Sequence, residues 1–221
     1  MLKVGLTGGI AAGKSVAGEM FATQGAKVIR ADDIAHNLMQ PGQPVYEAVV
    51  ERFGRDILNP DGSVNRSRLA EAAFGNGTSS PRVEELNRIV HPAVVKRQEE
   101  WMDEVGRDDR RAVAIVEAAL ILEAGAWKRF DRMVVVTCGS KQRIERWAGR
   151  VKTDLESARR EVERRMAAQL PDEEKIKAAD YVIDNSGSLD RTRQQVVEIY
   201  KQLKAESRDR AQLGIAGSHG K

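Results

Sequence analysis

The chain has 221 residues, of which 41% are hydrophobic and 31% are charged. That supply of apolar side chains is enough for one sizeable core but thin for two, so the composition predicts one domain with inserted subdomains. No apolar run approaches the roughly 20 residues that a membrane helix needs, which excludes a membrane-spanning protein. Basic residues exceed acidic ones by only three, a surplus too small to indicate nucleic-acid binding.

Cysteine usage and the N-terminal sequence indicate the cellular compartment. Cys138 is the only cysteine, so the chain cannot form an internal disulfide and a structural metal site is not expected. From Met1 the sequence enters an apolar stretch and a glycine loop at once, without the regions of a secretion signal. We expect a cytoplasmic protein, monomeric or a small homo-oligomer, with neither membrane nor nucleic-acid partners.

Five short segments rich in β-branched or aliphatic residues alternate with longer helical patterns. They cover residues 2–7, 26–30, 112–117, 132–138 and 181–184. This alternation predicts an α/β fold with a parallel sheet of about five strands and helices on both faces. The third and fourth segments are continuous apolar runs, which is typical of central strands buried on both sides.

The other segments predict a core with a helical insertion, an arginine-rich helical stretch and a tail. Residues 36–109 are too long for a simple crossover and form a helical insertion, and residues 141–177 contain an arginine-rich helical stretch followed by a helix start at Pro171. Residues 207–221 have little to bury and are expected to be disordered. Breaks in the insertion are expected at 40–44, 59–62 and 75–81. The core of this domain (1–206) comprises 1–35, 110–140 and 178–206.

A glycine loop follows the first strand directly and runs into a helical segment. Its residues are Gly8, Gly9, Ile10, Ala11, Ala12, Gly13, Lys14 and Ser15. This fits the G-x-x-x-x-G-K-[ST] pattern in the order strand, loop, helix that a phosphate-binding loop requires. Successive backbone N–H groups and the helix N-terminus would bind a polyphosphate. Lys14 would lie on the β and γ phosphates of ATP, and the Ser15 hydroxyl would ligate Mg²⁺.

The loop alone does not decide between GTPases, motor ATPases, transporters and small-molecule kinases. No N-K-x-D base-reading motif is present, which argues against a GTPase. The remaining candidates include a small-molecule or nucleoside kinase and a nucleotide-binding regulator that cycles ATP without an acceptor.

Two carboxylates follow the second strand, at the edge of the sheet where ligands of α/β proteins bind. They belong to Asp32 and Asp33. A carboxylate there can accept the proton of an attacking hydroxyl and orient it toward the γ-phosphoryl group, a role that we assign to Asp32. The alternative is that either aspartate caps a helix beginning near Ile34.

The chain resembles the dephospho-coenzyme A kinase family over nearly its whole length, to about residue 200. Most of the matching segments are individually weak, but their ordered occurrence behind a phosphate-binding loop is highly specific. The segments are 6–10, 31–32 with 34–35, 41–44, 53–54, 61–66, 89–92, 120–123, 165–169 and 179–187.

The resemblance implies ATP-dependent phosphorylation of the ribose 3′-hydroxyl of dephospho-coenzyme A, with Mg²⁺ as cofactor. It implies that residues 8–16, ending at Val16, hold ATP together with Asn185, and that Asp32 is the base. The helical insertion would grip the acceptor, with His91 and Glu123 as substrate contacts. Glu117, at the end of the third strand, is a candidate to assist Mg²⁺ through water.

The resemblance also implies that the arginine-rich segment is a lid that closes over ATP. Arg146 and Arg150 keep the family's four-residue spacing near the phosphates and would stabilise developing charge. The alternative is a solvated amphipathic helix with i,i+4 pairs such as Glu161 with Arg165; we prefer that interpretation for Arg159, Arg160 and Arg164.

Some features have a structural interpretation or depart from the family pattern. The pair His91-Pro92 is also an ordinary helix start with the proline in the first turn. Arg30 stands where many relatives have aspartate, and Ala119 stands where the family often has proline. These departures leave Asp32 in place but change its charged surroundings and the turn after the third strand.

Overall fold

A computed structural model describes residues 1–75 and 82–216, with side chains to residue 213. Five strands form an all-parallel sheet in the order β2-β3-β1-β4-β5. Each strand lies within two residues of its sequence-based prediction, so the expected α/β fold is confirmed. The strands are β1 (Leu2–Gly8), β2 (Lys27–Arg30), β3 (Val113–Glu117), β4 (Arg132–Thr137) and β5 (Tyr181–Asp184).

Helices follow or connect these strands. No helix in the described ranges is long and apolar enough to cross a membrane. Short 3₁₀ turns cover Arg55–Ile57 and Ala126–Arg129. The α-helices are α1 (Lys14–Thr23), α2 (Ala31–Leu38), α3 (Pro44–Phe53), α4 (Arg66–Phe74), α5 (Val83–Asp108), α6 (Ser140–Val151), α7 (Leu155–Ala167), α8 (Asp172–Lys177) and α9 (Leu189–Ala216).

The described residues form two compact units. The first contains residues 1–29 and those from 102 onward, and the second contains residues 30–101. The second unit thus begins at the last residue of β2, earlier than the insertion boundary of 36 predicted from the sequence. Asp32, which we placed in the core segment, belongs to this second unit.

The core of the first unit lies on both faces of the sheet. Phe21 of α1 and Val196 and Leu203 of α9 are buried with the apolar side chains of β1, β3 and β4. On the other face, Met133 and Val135 of β4 pack with the segment that follows β3. All five residues of β3 are buried, and each large aliphatic side chain removed from water contributes about 1.5–3 kcal/mol.

The second unit has its own apolar cluster, formed by α3, α4, the first part of α5 and the loop between α3 and α4. Val49 and Ile57 are nearly inaccessible within it. The Tyr46 hydroxyl donates a 2.7 Å hydrogen bond to the Gly62 carbonyl, which ties α3 to the loop. The predicted breaks at 40–44 and 59–62 are present, whereas residues 76–81 of the third lie outside the described residues.

Three sequence-based expectations about local structure are wrong. Pro92 lies inside α5 and does not begin a helix, because the apolar face of this helix already packs on the second cluster through Leu86 and Ile89. Neither aspartate caps α2: Arg30 is the N-cap residue, and Asp32 and Asp33 lie in the first turn.

The third wrong expectation is the disordered tail. Helix α9 continues through Ala216, while residues 217–221 lie outside the described ranges. Ser207 is fully buried and its hydroxyl donates a 2.8 Å hydrogen bond to the Ala112 carbonyl. Ala211 is also buried. The tail therefore has more to bury than its polar composition suggested.

We predict that Ser207→Ala lowers the free energy of unfolding by about 1 kcal/mol, because the buried Ala112 carbonyl loses one of its two donors and keeps only the backbone N–H of Leu2. Thermal unfolding followed by circular dichroism measures the effect. Arg208→Ala, at the next and exposed position of α9, is the control and should leave the melting temperature unchanged. Equal melting temperatures for both variants and the wild type would contradict the buried position of Ser207.

Candidate functional site

The glycine loop connects β1 to α1 in a tight curl. Gly13, the last residue before α1, has φ +97°, and a Cβ atom built there would lie 2.0 Å from Asn185 Nδ2. A Cβ on Gly9 would lie 2.0 Å from a guanidinium nitrogen of Arg143. Only glycine fits at these two positions, because the space beside the backbone is filled by buried side chains from outside the loop.

Lys14 and Ser15 begin α1 at the mouth of the loop. Lys14 Nζ donates hydrogen bonds to the carbonyls of Gly8, at 3.0 Å, and Gly9, at 3.3 Å. Its ammonium group is thereby held against the loop backbone. An ammonium beside the N-terminal end of a helix provides positive charge for a polyphosphate.

Ser15 is linked to the acid at the end of the third strand. Its hydroxyl donates a 2.7 Å hydrogen bond to Glu117 Oε1, and Glu117 is 7% exposed. Strands β1 and β3 pair with Leu6 opposite Glu117, which places this carboxylate next to the loop. A hydroxyl and a carboxylate are the hard oxygen donors that Mg²⁺ prefers.

Asn185 supports the loop from below. Its Nδ2 donates to the Ala12 carbonyl at 2.9 Å, and its Oδ1 accepts a 2.9 Å hydrogen bond from the Thr192 hydroxyl. The residue is 2% exposed. Both ends of its side-chain amide make hydrogen bonds within the protein, and the nucleotide contact of Asn185 stays a prediction from the sequence.

Helices α6 and α7 pack together, and apolar residues of the loop join their contact. Trp147, Ala148, Ala158 and Val162 form a buried cluster against which Ile10 and Ala11 pack. Ala11 has a positive φ of 53°, Ala12 is fully buried and Val16 is 37% exposed on α1. Ile10 and Ala11, at positions that the loop pattern leaves open, thus contact the proposed lid directly.

The two arginines predicted on the lid lie in different surroundings. Arg146 donates to the Asn185 carbonyl at 2.9 Å and to the Ala12 carbonyl at 3.4 Å, so it touches the loop. Arg150 is exposed, and its guanidinium stacks on Trp147 with 4.5 Å between Cζ and the ring centroid.

Other lid arginines form surface pairs, as expected. Arg160 pairs with Glu156, and Arg164 and Arg165 pair with Glu161. The hydrogen bond from Arg164, together with Arg165, lowers the pKa of Glu161 to about 2. Pairs of this kind on a solvated helix contribute little to stability.

Sequence reasoning missed Arg143, which lies beneath the loop. It is 1% exposed, donates to the Cys138 carbonyl at 3.1 Å and forms an ion pair with Asp172 at the start of α8. Burial raises the pKa of the neighbouring Cys138 thiol. No signal in the sequence distinguishes Arg143 from the exposed arginines of the same segment.

Glu123 has a partner that the sequence did not indicate. Lys175 of α8 is completely buried, and its ammonium lies 2.9 Å from Glu123 Oε1. The same oxygen accepts a 3.1 Å hydrogen bond from the backbone of Leu170. Glu123, predicted as a substrate contact, therefore ties the end of the lid segment to the turn that follows β3.

In the second unit, the predicted site residues are exposed. Asp32 lies in the first turn of α2, and its neighbour Asp33 lies 3.8 Å from the Arg30 guanidinium. His91 is on the exposed side of α5 and lines a surface cavity of about 430 Å³ with Glu84, Asn87, Arg88 and Pro92.

No cluster of three or more histidine, cysteine, aspartate or glutamate side chains suitable for a metal occurs among residues 1–75 and 82–216. A Mg²⁺ ion that arrives with a nucleotide does not need one, because phosphates and water supply most of its ligands. The Ser15 hydroxyl and the Glu117 carboxylate therefore fit such an ion.

A parallel sheet, a glycine loop at the end of β1 and an arginine-rich helical pair packed on that loop define a nucleotide-binding protein of the phosphate-binding-loop kinase class. Comparison with known proteins narrows this class. The model of the dephospho-CoA kinase family matches residues 2–191. The dephospho-CoA kinase of Syntrophotalea carbinolica is 41% identical over 204 residues, 92% of each chain.

Two further relatives agree. The dephospho-CoA kinase of Aquifex aeolicus is 38% identical over 203 residues, which are 92% of this chain and 98% of the relative. The solved structure of a dephospho-CoA kinase from Campylobacter jejuni has a TM-score of 0.59 at 25% identity, covering 90% of this chain and 96% of that one. The chain belongs to the dephospho-CoA kinase family. Its activity is that of a phosphotransferase in the final step of coenzyme A biosynthesis.

We predict that Asp172→Ala lowers the free energy of unfolding by about 3 kcal/mol, because it leaves the buried Arg143 guanidinium without a counter-charge. Denaturant unfolding measures the loss. The control is Glu174→Ala on the same helix, which removes a surface pair with Lys177 and should cost less than about 1 kcal/mol. Equal losses in the two variants would show that the Arg143–Asp172 pair is no stronger than a surface pair.

Proposed function

We propose that the first unit binds Mg·ATP on residues 8–16 and that Asp32 activates the ribose 3′-hydroxyl of dephospho-coenzyme A. The observation that carries this proposal is the arrangement at the loop, where Lys14 lies against the Gly8 carbonyl and Ser15 bonds to Glu117. The resemblance supplies the identity of the acceptor, and the geometry supports the positions of the nucleotide and the metal.

The residues have distinct roles in this mechanism. Asp32 accepts the proton of the 3′-hydroxyl and directs the oxygen toward the γ-phosphorus, from which ADP departs. Lys14 neutralises charge on the β and γ phosphates. Arg146 and Arg150 stabilise the charge that develops on the transferred group and exclude water when substrates are bound.

Mg²⁺ would be held by the Ser15 hydroxyl, with Glu117 orienting a bound water. When bound, the ion neutralises phosphate charge and fixes the orientation of the γ-phosphoryl group. The hydrogen bond from Ser15 to Glu117 fits this assignment, because a ligand supported by a neighbouring carboxylate is fixed in orientation.

Asp32 is suited to its role by its surroundings. Within the described chain its carboxylate has no hydrogen-bond or ion-pair partner, and the side chain is exposed in the first turn of α2. We assign the second unit to binding the acceptor, with exposed His91 as its candidate contact. We also place the enzyme in the cytoplasm, which its single, reduced cysteine fits.

We predict that Asp32→Asn keeps ATP binding but lowers kcat by about 10²- to 10⁴-fold, because an amide cannot accept the hydroxyl proton. Isothermal titration with ATP and steady-state ADP formation separate the two effects. The control is Asp33→Asn, whose carboxylate lies near Arg30, and its kcat should remain near that of the wild type. Unchanged turnover in Asp32→Asn would remove Asp32 from the base role.

We predict that Glu117→Gln raises the Mg²⁺ concentration needed for tight ATP binding by about tenfold, because the ion loses an orienting carboxylate. Titration of the protein with ATP at a series of Mg²⁺ concentrations measures this directly, without turnover. Glu19→Gln, on the exposed side of α1, is the control. A Mg²⁺ dependence of Glu117→Gln equal to that of the wild type would contradict the assignment.

A further inference from the structure

Two guanidinium groups lie over the buried indole ring of Trp147. Arg150 Cζ lies 4.5 Å from the ring centroid, and Arg165 Cζ lies 4.7 Å from it. Both distances are well within the roughly 6 Å range of a cation–π interaction, in which tryptophan is the strongest partner. Trp147 itself is 8% exposed. One side chain of α6 thus fixes cations from both α6 and α7.

The two cations differ in what else they touch. Arg165 Nε lies 2.6 Å from Glu161 Oε1, so its charge is compensated. Arg150 has no carboxylate within ion-pair distance among the described residues, and its side chain is exposed. Arg150 is therefore oriented by the ring while its charge stays available to an anion.

The Trp147 ring also belongs to a cluster that packs against the glycine loop. Trp147 belongs to the apolar cluster against which Ile10 and Ala11 pack. These two residues lie between the glycines that shape the loop. The position of the indole, and with it the Arg150 guanidinium, is therefore set relative to the loop by close packing.

We propose that Trp147 is a positioning residue for phosphoryl transfer, which holds the Arg150 guanidinium by stacking so that it meets the phosphates of ATP on the loop. The inference rests on the phosphate contact proposed above for Arg150. If Trp147 were purely structural, another large apolar residue would fill its space equally well. A positioning Trp147 needs its aromatic face, and this difference can be measured.

Trp147→Leu keeps an apolar side chain but removes the aromatic face. We expect kcat/KM for ATP to fall about tenfold, since stacking no longer fixes Arg150. Trp147→Phe retains an aromatic face and should restore most of the loss. Trp127→Leu is the matched control: Trp127 is 46% exposed with Lys128 5.8 Å over its ring, and the variant should behave as the wild type.

Arg150→Met separates this inference from the proposed role of Arg150. If Arg150→Met leaves kcat/KM unchanged, the phosphate contact is wrong and the inference fails with it. If Arg150→Met is impaired but Trp147→Leu is not, or if Trp147→Phe is as impaired as Trp147→Leu, only the inference is overturned. If both are correct, Trp147→Leu adds little to Arg150→Met, because the ring acts through that arginine.

A fluorescence measurement keeps the test independent of how well Trp147→Leu folds. In Trp101→Phe/Trp127→Phe, Trp147 is the only remaining tryptophan. We expect titration with Mg·ATP to change its emission, because phosphates that bind the stacked guanidinium change the electric field at the ring, and Arg150→Met to remove most of the change. The inference would be overturned if Trp147 emission did not respond to ATP, or if the change in emission persisted in Arg150→Met.

Discussion

The phosphate loop keeps its curl because side chains from distant parts of the chain occupy the space beside its glycines. Asn185 donates to the Ala12 carbonyl and fills the position of a Gly13 side chain, and Arg143 fills the position of a Gly9 side chain. Asn185 directly follows β5, and Arg143 belongs to α6. The direction of Lys14 and Ser15, and hence the whole nucleotide site, depends on these buried contacts.

The distribution of positive charge follows from the same arrangement. Residues 141–170 contain nine lysines and arginines against five acids, a surplus larger than that of the whole chain. Arg143 is buried in an ion pair, and Arg160, Arg164 and Arg165 have surface partners. Lys141 pairs with Glu145, whereas Arg146, Arg150, Lys152 and Arg159 have no carboxylate partner among the described residues. The surplus of positive charge is thus concentrated in the segment that we propose closes over ATP.

Sequence alone predicts the parts of this molecule that depend on local pattern. The glycine loop and the five strands follow from composition, periodicity and motif spacing, and the acid at the end of β3 follows from the family resemblance. Contacts between distant residues do not. Nothing adjacent to Arg143, Trp147 or Glu123 in the chain indicates Asp172, Ile10 or Lys175 as neighbours. The continuation of α9 beyond residue 206 was missed for the same reason, because Ser207 donates to the carbonyl of Ala112, which is far away in sequence.

Identification of the product tests the account most directly. The purified protein is incubated with Mg·ATP and dephospho-coenzyme A, and the product is examined by mass spectrometry and by phosphorus NMR. We expect coenzyme A, with one added phosphoryl group on the ribose 3′-oxygen and one ADP for each molecule formed. ATP hydrolysis at full rate without acceptor, or failure to phosphorylate dephospho-coenzyme A while another alcohol is phosphorylated, would contradict it.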